Sequence, residues 1–247
     1  DADRFYPIGG INPRPPLFSW SLAIGAMILQ PFLGEDAVWW SMLALPAIYG
    51  ALTILPVAAI ARDHFGKAAG VIAAWLIAFM PAHVTHSTWG LADHDSFVML
   101  FIAIGFMFYL RAVKYAGSER LVRTTSIRPL DMLRAMGAVA QERQYAMANA
   151  VLAGVAFGAA SLGWKGFVVG PAILFLAYAA QVALNMFRRR DSTILSTLFL
   201  TMLLTNLLIA LPFYAHPQMN LMLDGSGLQP FLFILLFTVV MMYITTG

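Results

Sequence analysis

Residues 86–115 read HSTWGLADHDSFVMLFIAIGFMFYLRAVKY. The second part, Phe97–Tyr115, is an apolar run of the length that carries a helix across a bilayer, about 20 residues. The first part packs two carboxylates, Asp93 and Asp95, and two imidazoles, His86 and His94, into ten residues. Near its far end the run meets Arg111 and Lys114. An apolar rod with acids at one end and bases at the other decides the fold class, because the rest of the chain repeats the apolar part.

Working outward, Ala37–Ala61, Ala68–Thr85, Tyr145–Leu162, Phe167–Phe187, Ile194–Tyr214 and Leu228–Thr246 are each long enough to span. Leu17–Leu33 is apolar but short, and its length predicts an interfacial or re-entrant helix. Backbone polar groups in lipid must be satisfied within the segment, so these are helices. Their unbroken hydrophobicity excludes the alternation of a membrane barrel. The expected fold is all-α: a polytopic bundle of about seven spanning helices plus one short helix.

Composition agrees. The chain has 247 residues, 60% hydrophobic and 11% charged, where a soluble domain carries about 25% charged residues. Mean hydropathy is +0.76. A net charge of +3, from 15 basic and 12 acidic residues, is too sparse for a nucleic-acid footprint. There is no cysteine, hence no disulfide, thiolate metal site or cysteine nucleophile. Asp1 opens the chain without a signal peptide, and the apolar run from Phe231 to Gly247 stops without a polar tail. Both ends read as cuts. The expectation is one transmembrane unit over 1–247, with outer loop and short helix at 1–36 and the bundle at 37–247. An upstream helix and a C-terminal soluble domain would lie outside it.

Basic residues alternate from loop to loop. Arg62 and Lys67 flank one turn, seven fall between Arg111 and Arg143, and Arg188, Arg189 and Arg190 form another, together 12 of the 15. The intervening loops 86–96, 163–166 and 215–227 hold Lys165 alone. Basic loops face the cytoplasm. The acid loop therefore faces outward, and 116–144 is a cytoplasmic loop with a surface helix near Pro129–Arg143.

Ionisable groups at a membrane boundary are costly and usually functional. An Asp-x-Asp pair in a tight turn brings carboxylate oxygens within a few ångströms, a donor set that suits Mg²⁺ or Mn²⁺. The plainer reading makes Asp93 an N-cap and Asp95 a favourable charge in the first turn of the following helix. The two roles are compatible. In the outward loop Gly163-Trp164-Lys165-Gly166, Trp164 is an interface aromatic and Lys165 a snorkelling base, or both contact an anionic phosphate. Tyr6–Pro16 reads as an ordered loop or a linker. Asp1 and Asp3 are poor ligand candidates, His64 and His216 read as solvated turn residues, and Trp39-Trp40 and the methionines as packing.

Gly90-Leu-Ala-Asp93-His94-Asp95 before an apolar helix resembles the second acidic motif of oligosaccharyltransferase catalytic subunits. The similarity is best to the archaeal single-subunit enzymes, whose loop typically reads Gly-x-x-Asp-His-His. Ile54–Asp63, Phe65–Gly70 and Trp164-Lys165-Gly166 resemble further stretches of the same membrane domain, in order and spacing. The resemblance implies a glycosyltransferase membrane domain of the GT-C type. It implies transfer of an oligosaccharide from a polyprenyl or dolichyl (di)phosphate to Asn in an Asn-x-Ser/Thr sequon. Its partners are a lipid-linked oligosaccharide, an acceptor polypeptide and membrane lipid. The site would lie on the extracytoplasmic face of the cell membrane.

By that similarity Asp93 and Asp95 are catalytic and hold Mn²⁺ or Mg²⁺, while His94, Trp164 and His86 contact lipid-linked phosphate. Asp95 stands where many archaeal members carry His, and bacterial relatives carry Arg where His86 stands. The family's first metal Asp, late catalytic Glu and Trp-Trp-Asp-Tyr-Gly motif are absent, so the chain is expected to be inactive alone. Two rivals remain: another membrane glycosyltransferase using a polyprenyl-phosphate sugar, separated by its acceptor, and a transporter, which needs ionisable groups at mid-helix depth.

Overall fold

Pro81 cuts what the sequence suggested was one span, Ala68–Thr85, into two helices. Proline has no N–H and its ring crowds the carbonyl four residues back. Met80 accordingly turns extended (ψ 117°) and Pro81 opens a new helix at its first position. The computed structural model describes residues 15–117, 129–214 and 228–246. The readings of Asp1, Asp3 and His216, with most of Tyr6–Pro16, the outer loop 215–227 and three of the seven basic residues between Arg111 and Arg143, fall outside them.

Among the described residues all regular structure is helical: α1 Leu17–Leu33, α2 Ala37–Phe65, α3 Lys67–Phe79, α4 Pro81–His86, α5 Asp95–Ala116, α6 Pro129–Glu142, α7 Gln144–Ser161, α8 Val169–Phe187, α9 Thr193–Tyr214 and α10 Leu228–Thr246. Short 3-10 turns at Gly34–Asp36 and Lys165–Val168 lead into α2 and α8. Four helical stretches are long and apolar enough to cross a membrane: Leu17–Phe65, Asp95–Ala116, Lys165–Phe187 and Thr193–Tyr214. Lys67–Phe79 and Leu228–Tyr243 are apolar but shorter. The outer faces are apolar too. On α3 alone, Val71, Ile72, Trp75, Leu76 and Phe79 stand exposed, a surface that suits lipid and not water. The chain is a membrane protein.

The centre of the bundle is α7, packed between α5 and α9. It is rich in Ala and Gly because it meets protein on both sides. A Cβ on Gly154 would fall 2.5 Å from the Thr205 Cβ and 2.6 Å from the Met202 carbonyl oxygen. One on Gly158 would lie 2.9 Å from Ile209. This Gly-x-x-x-Gly stripe lets two backbones approach in a medium where hydrophobic association adds nothing. Phe157, fully buried between them, turns the other way and covers Gly105 of α5. Tyr178 of α8 and Phe199 of α9 stack at 4.6 Å on the next face.

Two contacts set the ends of the bundle. At one end Arg111 Nε of α5 donates to Asp63 Oδ2 of α2 at 2.7 Å, and the Lys114 ammonium donates to the Asp63 carbonyl. At the other, α1 doubles back on the start of α2, where Ser41 Oγ donates to the Leu22 carbonyl at 2.6 Å. Leu17 N–H donates to the Leu162 carbonyl at 2.8 Å, tying α1 to the loop after α7. His64, read as a turn residue, belongs to the last turn of α2 and is exposed.

Candidate metal centre at the start of α5

The acid loop is held from below by α2. His83 Nε2 lies 3.0 Å from the Gly50 carbonyl oxygen. Glycine is needed there, since a Cβ on Gly50 would sit 2.2 Å from the Ser87 Cβ. Gly90, at φ 92°, takes a left-handed turn that suits glycine, and its N–H donates to the Leu43 carbonyl at 3.2 Å. Trp89 packs edge-on to Trp40, 5.9 Å between rings. Asp93 N–H then donates to the Leu91 carbonyl at 2.8 Å, so the chain turns tightly just before the acids.

The two carboxylates converge. One ligand atom each from Asp93, His94 and Asp95 lies within 4.8 Å of the others. His94 Nδ1 is 2.7 Å from Asp93 Oδ1, and its Nε2 is 3.8 Å from Asp95 Oδ1. His86, from the end of α4, places Nδ1 2.7 Å from Asp95 Oδ2. Read from sequence as a phosphate contact, His86 here touches a carboxylate. The N-cap reading of Asp93 is corrected: His94 occupies the cap position, with no side-chain capping bond. The Asp93 carboxylate instead accepts the His94 backbone N–H at 2.7 Å. Asp95 does sit in the first turn of α5, where the helix dipole favours a negative charge.

Aromatic rings frame the cluster. Trp164 lies 6.3 Å from the His94 ring, and Phe18 of α1 6.4 Å away on an edge-to-face approach. The glycines around Trp164 have a packing reason. A Cβ on Gly166 would lie 2.3 Å from the Trp164 ring, and one on Gly163 2.8 Å from the Phe97 ring. Gly163-Trp164-Lys165-Gly166 thus packs closely around its indole, which lies beside the His94 ring. Phe18 was not singled out in the sequence; an aromatic at the start of an apolar helix carries no signal of its own.

The donors fit a hard divalent cation. Two carboxylates and an imidazole are partly exposed and close enough to share one ion, and their position leaves room for ligands from elsewhere. His86 against Asp95 is the outer partner that a ligating carboxylate usually has. Among the described residues no Asp, Glu, Lys, Arg or His side chain is fully buried.

Comparisons with known proteins bear on the family and the fold. The sequence model of the family described as Oligosaccharyl transferase STT3, N-terminal, matches residues 1–246. The chain is 31% identical over 218 residues to the dolichyl-phosphooligosaccharide-protein glycotransferase 3 of Archaeoglobus fulgidus, covering 86% of this chain and 23% of that relative. Its structure is similar, at a TM-score of 0.76 and 25% identity, to the A. fulgidus oligosaccharyltransferase crystallised with a tethered acceptor peptide containing the NVT sequon. That match covers 99% of this chain and 27% of the other. The archaeal oligosaccharyltransferase AglB from A. fulgidus, in complex with an inhibitory peptide and a dolichol-phosphate, shares the fold at a TM-score of 0.73 and 24% identity, covering 99% of this chain and 26% of that one. The chain thus spans about a quarter of the length of the relatives it matches.

Proposed function

Because the chain belongs to the oligosaccharyl transferase STT3 family, we propose that it supplies part of the active site of a protein N-glycosylating enzyme. The reaction moves an oligosaccharide from a polyprenyl or dolichyl (di)phosphate carrier to the side-chain nitrogen of Asn in an Asn-x-Ser/Thr sequon. A bond forms between that nitrogen and the anomeric carbon. The bond from the anomeric carbon to the phosphate oxygen breaks, the phosphate leaves on its lipid, and the amide loses a proton.

The observation that carries this reading is the convergence of Asp93, His94 and Asp95 beside Trp164 at one end of the bundle. Asp93 and Asp95 would hold Mn²⁺ or Mg²⁺, together with acids from the rest of the enzyme. Such a cation neutralises charge on a departing phosphate. The carboxylates have a second task. An amide nitrogen is a poor nucleophile while its lone pair is delocalised, and anionic acceptors for its N–H hydrogens weaken that delocalisation. His94 and Trp164 would line the path of the lipid-linked phosphate: an imidazole N–H can donate a hydrogen bond to a phosphate oxygen, and the indole excludes water from one side. His86 would fix the Asp95 carboxylate.

The acid end would face the extracytoplasmic side of the cell membrane in a multi-pass topology. The supporting observation is that Arg62, Arg111, Lys114 and Arg188–Arg190 belong to the opposite helix ends, as the positive-inside rule asks. The chain is read as one transmembrane unit. The hairpin of α1 on the start of α2, at the acid end, suits an interfacial or re-entrant α1.

The test uses the full-length parent protein, a lipid-linked oligosaccharide and a sequon peptide at saturating Mn²⁺. Asp93→Ala and Asp95→Ala are each expected to remove nearly all peptide glycosylation. Full activity in both variants removes the proposed role.

A further inference from the structure

The end of α8 carries a backbone oddity that the glycosylation site does not use. Arg188 N–H donates to the Leu184 carbonyl at 3.0 Å, Arg189 N–H to Met186 at 3.1 Å and Arg190 N–H to Asn185 at 2.8 Å. This is a Schellman termination, in which glycine normally takes the left-handed position. Here Arg189 takes it, at φ 52°, alone among the described non-glycine residues in adopting a positive φ. A side chain kept in a conformation that disfavours it points to a use for that side chain.

Arg189 and Arg190 line a cavity of about 810 Å³ between the ends of α5, α8 and α9. Its floor is polar. Buried Asn185 accepts a hydrogen bond from Gln181 at 2.9 Å and donates to Ser192 Oγ at 3.1 Å. Its walls include Val113 and Leu198. Asp191 also lines the cavity; its Oδ1 is engaged at the start of α9, accepting the Thr193 N–H at 2.8 Å and hydroxyl at 2.6 Å. Two arginines therefore line a cavity that also has a polar floor and apolar walls. The volume is that of a small-molecule pocket. Guanidinium pairs suit phosphate oxygens, and basic pockets between helices at a membrane surface are where anionic headgroups bind.

We infer that the cavity at the basic end of the bundle, between α5, α8 and α9, binds the phosphate of a net anionic lipid headgroup through Arg189 and Arg190. The shared chemistry is phosphate; the apolar walls favour a lipid over a free anion. The site lies at the far end of the bundle from Asp93 and does not depend on the glycosylation reading.

The test titrates the detergent-solubilised full-length parent protein with short-chain phosphatidylglycerol, phosphatidylcholine or inorganic phosphate and follows thermal loss of helicity. Phosphatidylglycerol is expected to raise the midpoint by roughly 3 °C or more, with phosphatidylcholine and inorganic phosphate at equal concentration giving less than half of that. Arg189→Gly relieves the backbone, so its midpoint without lipid should be unchanged or higher while the phosphatidylglycerol shift falls by at least half. Arg190→Gln should lose the shift likewise. Lys67→Gln, an equal charge change at the same end, should keep it. A full shift in the Arg189→Gly/Arg190→Gln double variant, or an equal loss in Lys67→Gln, overturns the site. An equal shift from phosphatidylcholine, whose phosphate charge is balanced by its own choline, overturns recognition of a net anionic headgroup. An equal shift from inorganic phosphate overturns the lipid as its source.

Discussion

The two ends of α5 treat the same side chain in opposite ways. At the basic end Asp63 is saturated: Arg111 and Arg62 take its carboxylate at 2.7 and 3.0 Å, Lys114 takes its carbonyl, and the side chain is 18% exposed. At the acid end, about 24 Å along the helix from Arg111 by its rise per residue, Asp93 and Asp95 are 42% and 39% exposed. No Arg or Lys pairs with either carboxylate among the described residues; each has an imidazole instead. A carboxylate that meets guanidiniums is neutralised and serves the fold. Carboxylates that meet each other keep a surplus of negative charge, and a cation is the natural complement. The difference separates a structural acid from a functional one more sharply than either residue does alone.

That contrast can be broken by exchange. The largest expected effect is on catalysis: Asp93→Ala or Asp95→Ala in the full-length parent should all but abolish sequon glycosylation, whereas Asp63→Ala should leave the rate per folded molecule nearly unchanged. An equal loss in all three would erase the distinction. Next comes His86→Ala, which frees Asp95 Oδ2. Loss of such an outer partner typically lowers metal affinity about 10–100-fold, and a Mn²⁺ titration of activity would read the shift. Smaller is Trp164→Ala. One aromatic contact is worth roughly 1 kcal/mol, so KM for the lipid-linked donor should rise a few-fold with kcat little changed. Smallest is the stability effect of Asp63→Ala. Its pairs are partly solvent-screened, so about 0.5–1 kcal/mol is expected in chemical unfolding. The same measurement on Asp93→Ala should show no loss, since that variant relieves like-charge repulsion.

Much of this was legible in the sequence because lipid enforces simple rules. The bounds of α1 and α10 coincide with those of the apolar runs Leu17–Leu33 and Leu228–Thr246, since in a bilayer hydrophobicity and helicity are one requirement. The Asp93–Asp95 convergence was legible because adjacent positions in a tight turn have little choice of direction. The break at Pro81 was missed because composition around it stays apolar. The cap reading of Asp93 fails because the turn after Gly90 sets the cap one residue later, at His94, with α5 starting at Asp95. The partner of His86 was not legible at all. It depends on α4 being laid on α2 through Gly50, a contact across 33 residues that no local pattern encodes. The same holds for the Gly154–Gly158 stripe, whose role depends on which face of α9 it meets.

The most direct measurement is Mn²⁺ binding followed by electron paramagnetic resonance in the full-length parent protein. Broadened, protein-bound signal is expected in the wild type and in Asp63→Asn, and only the free-ion signal in Asp93→Asn/Asp95→Asn at the same metal concentration. Undiminished binding in the double variant contradicts the assignment of those two carboxylates as the cation's ligands.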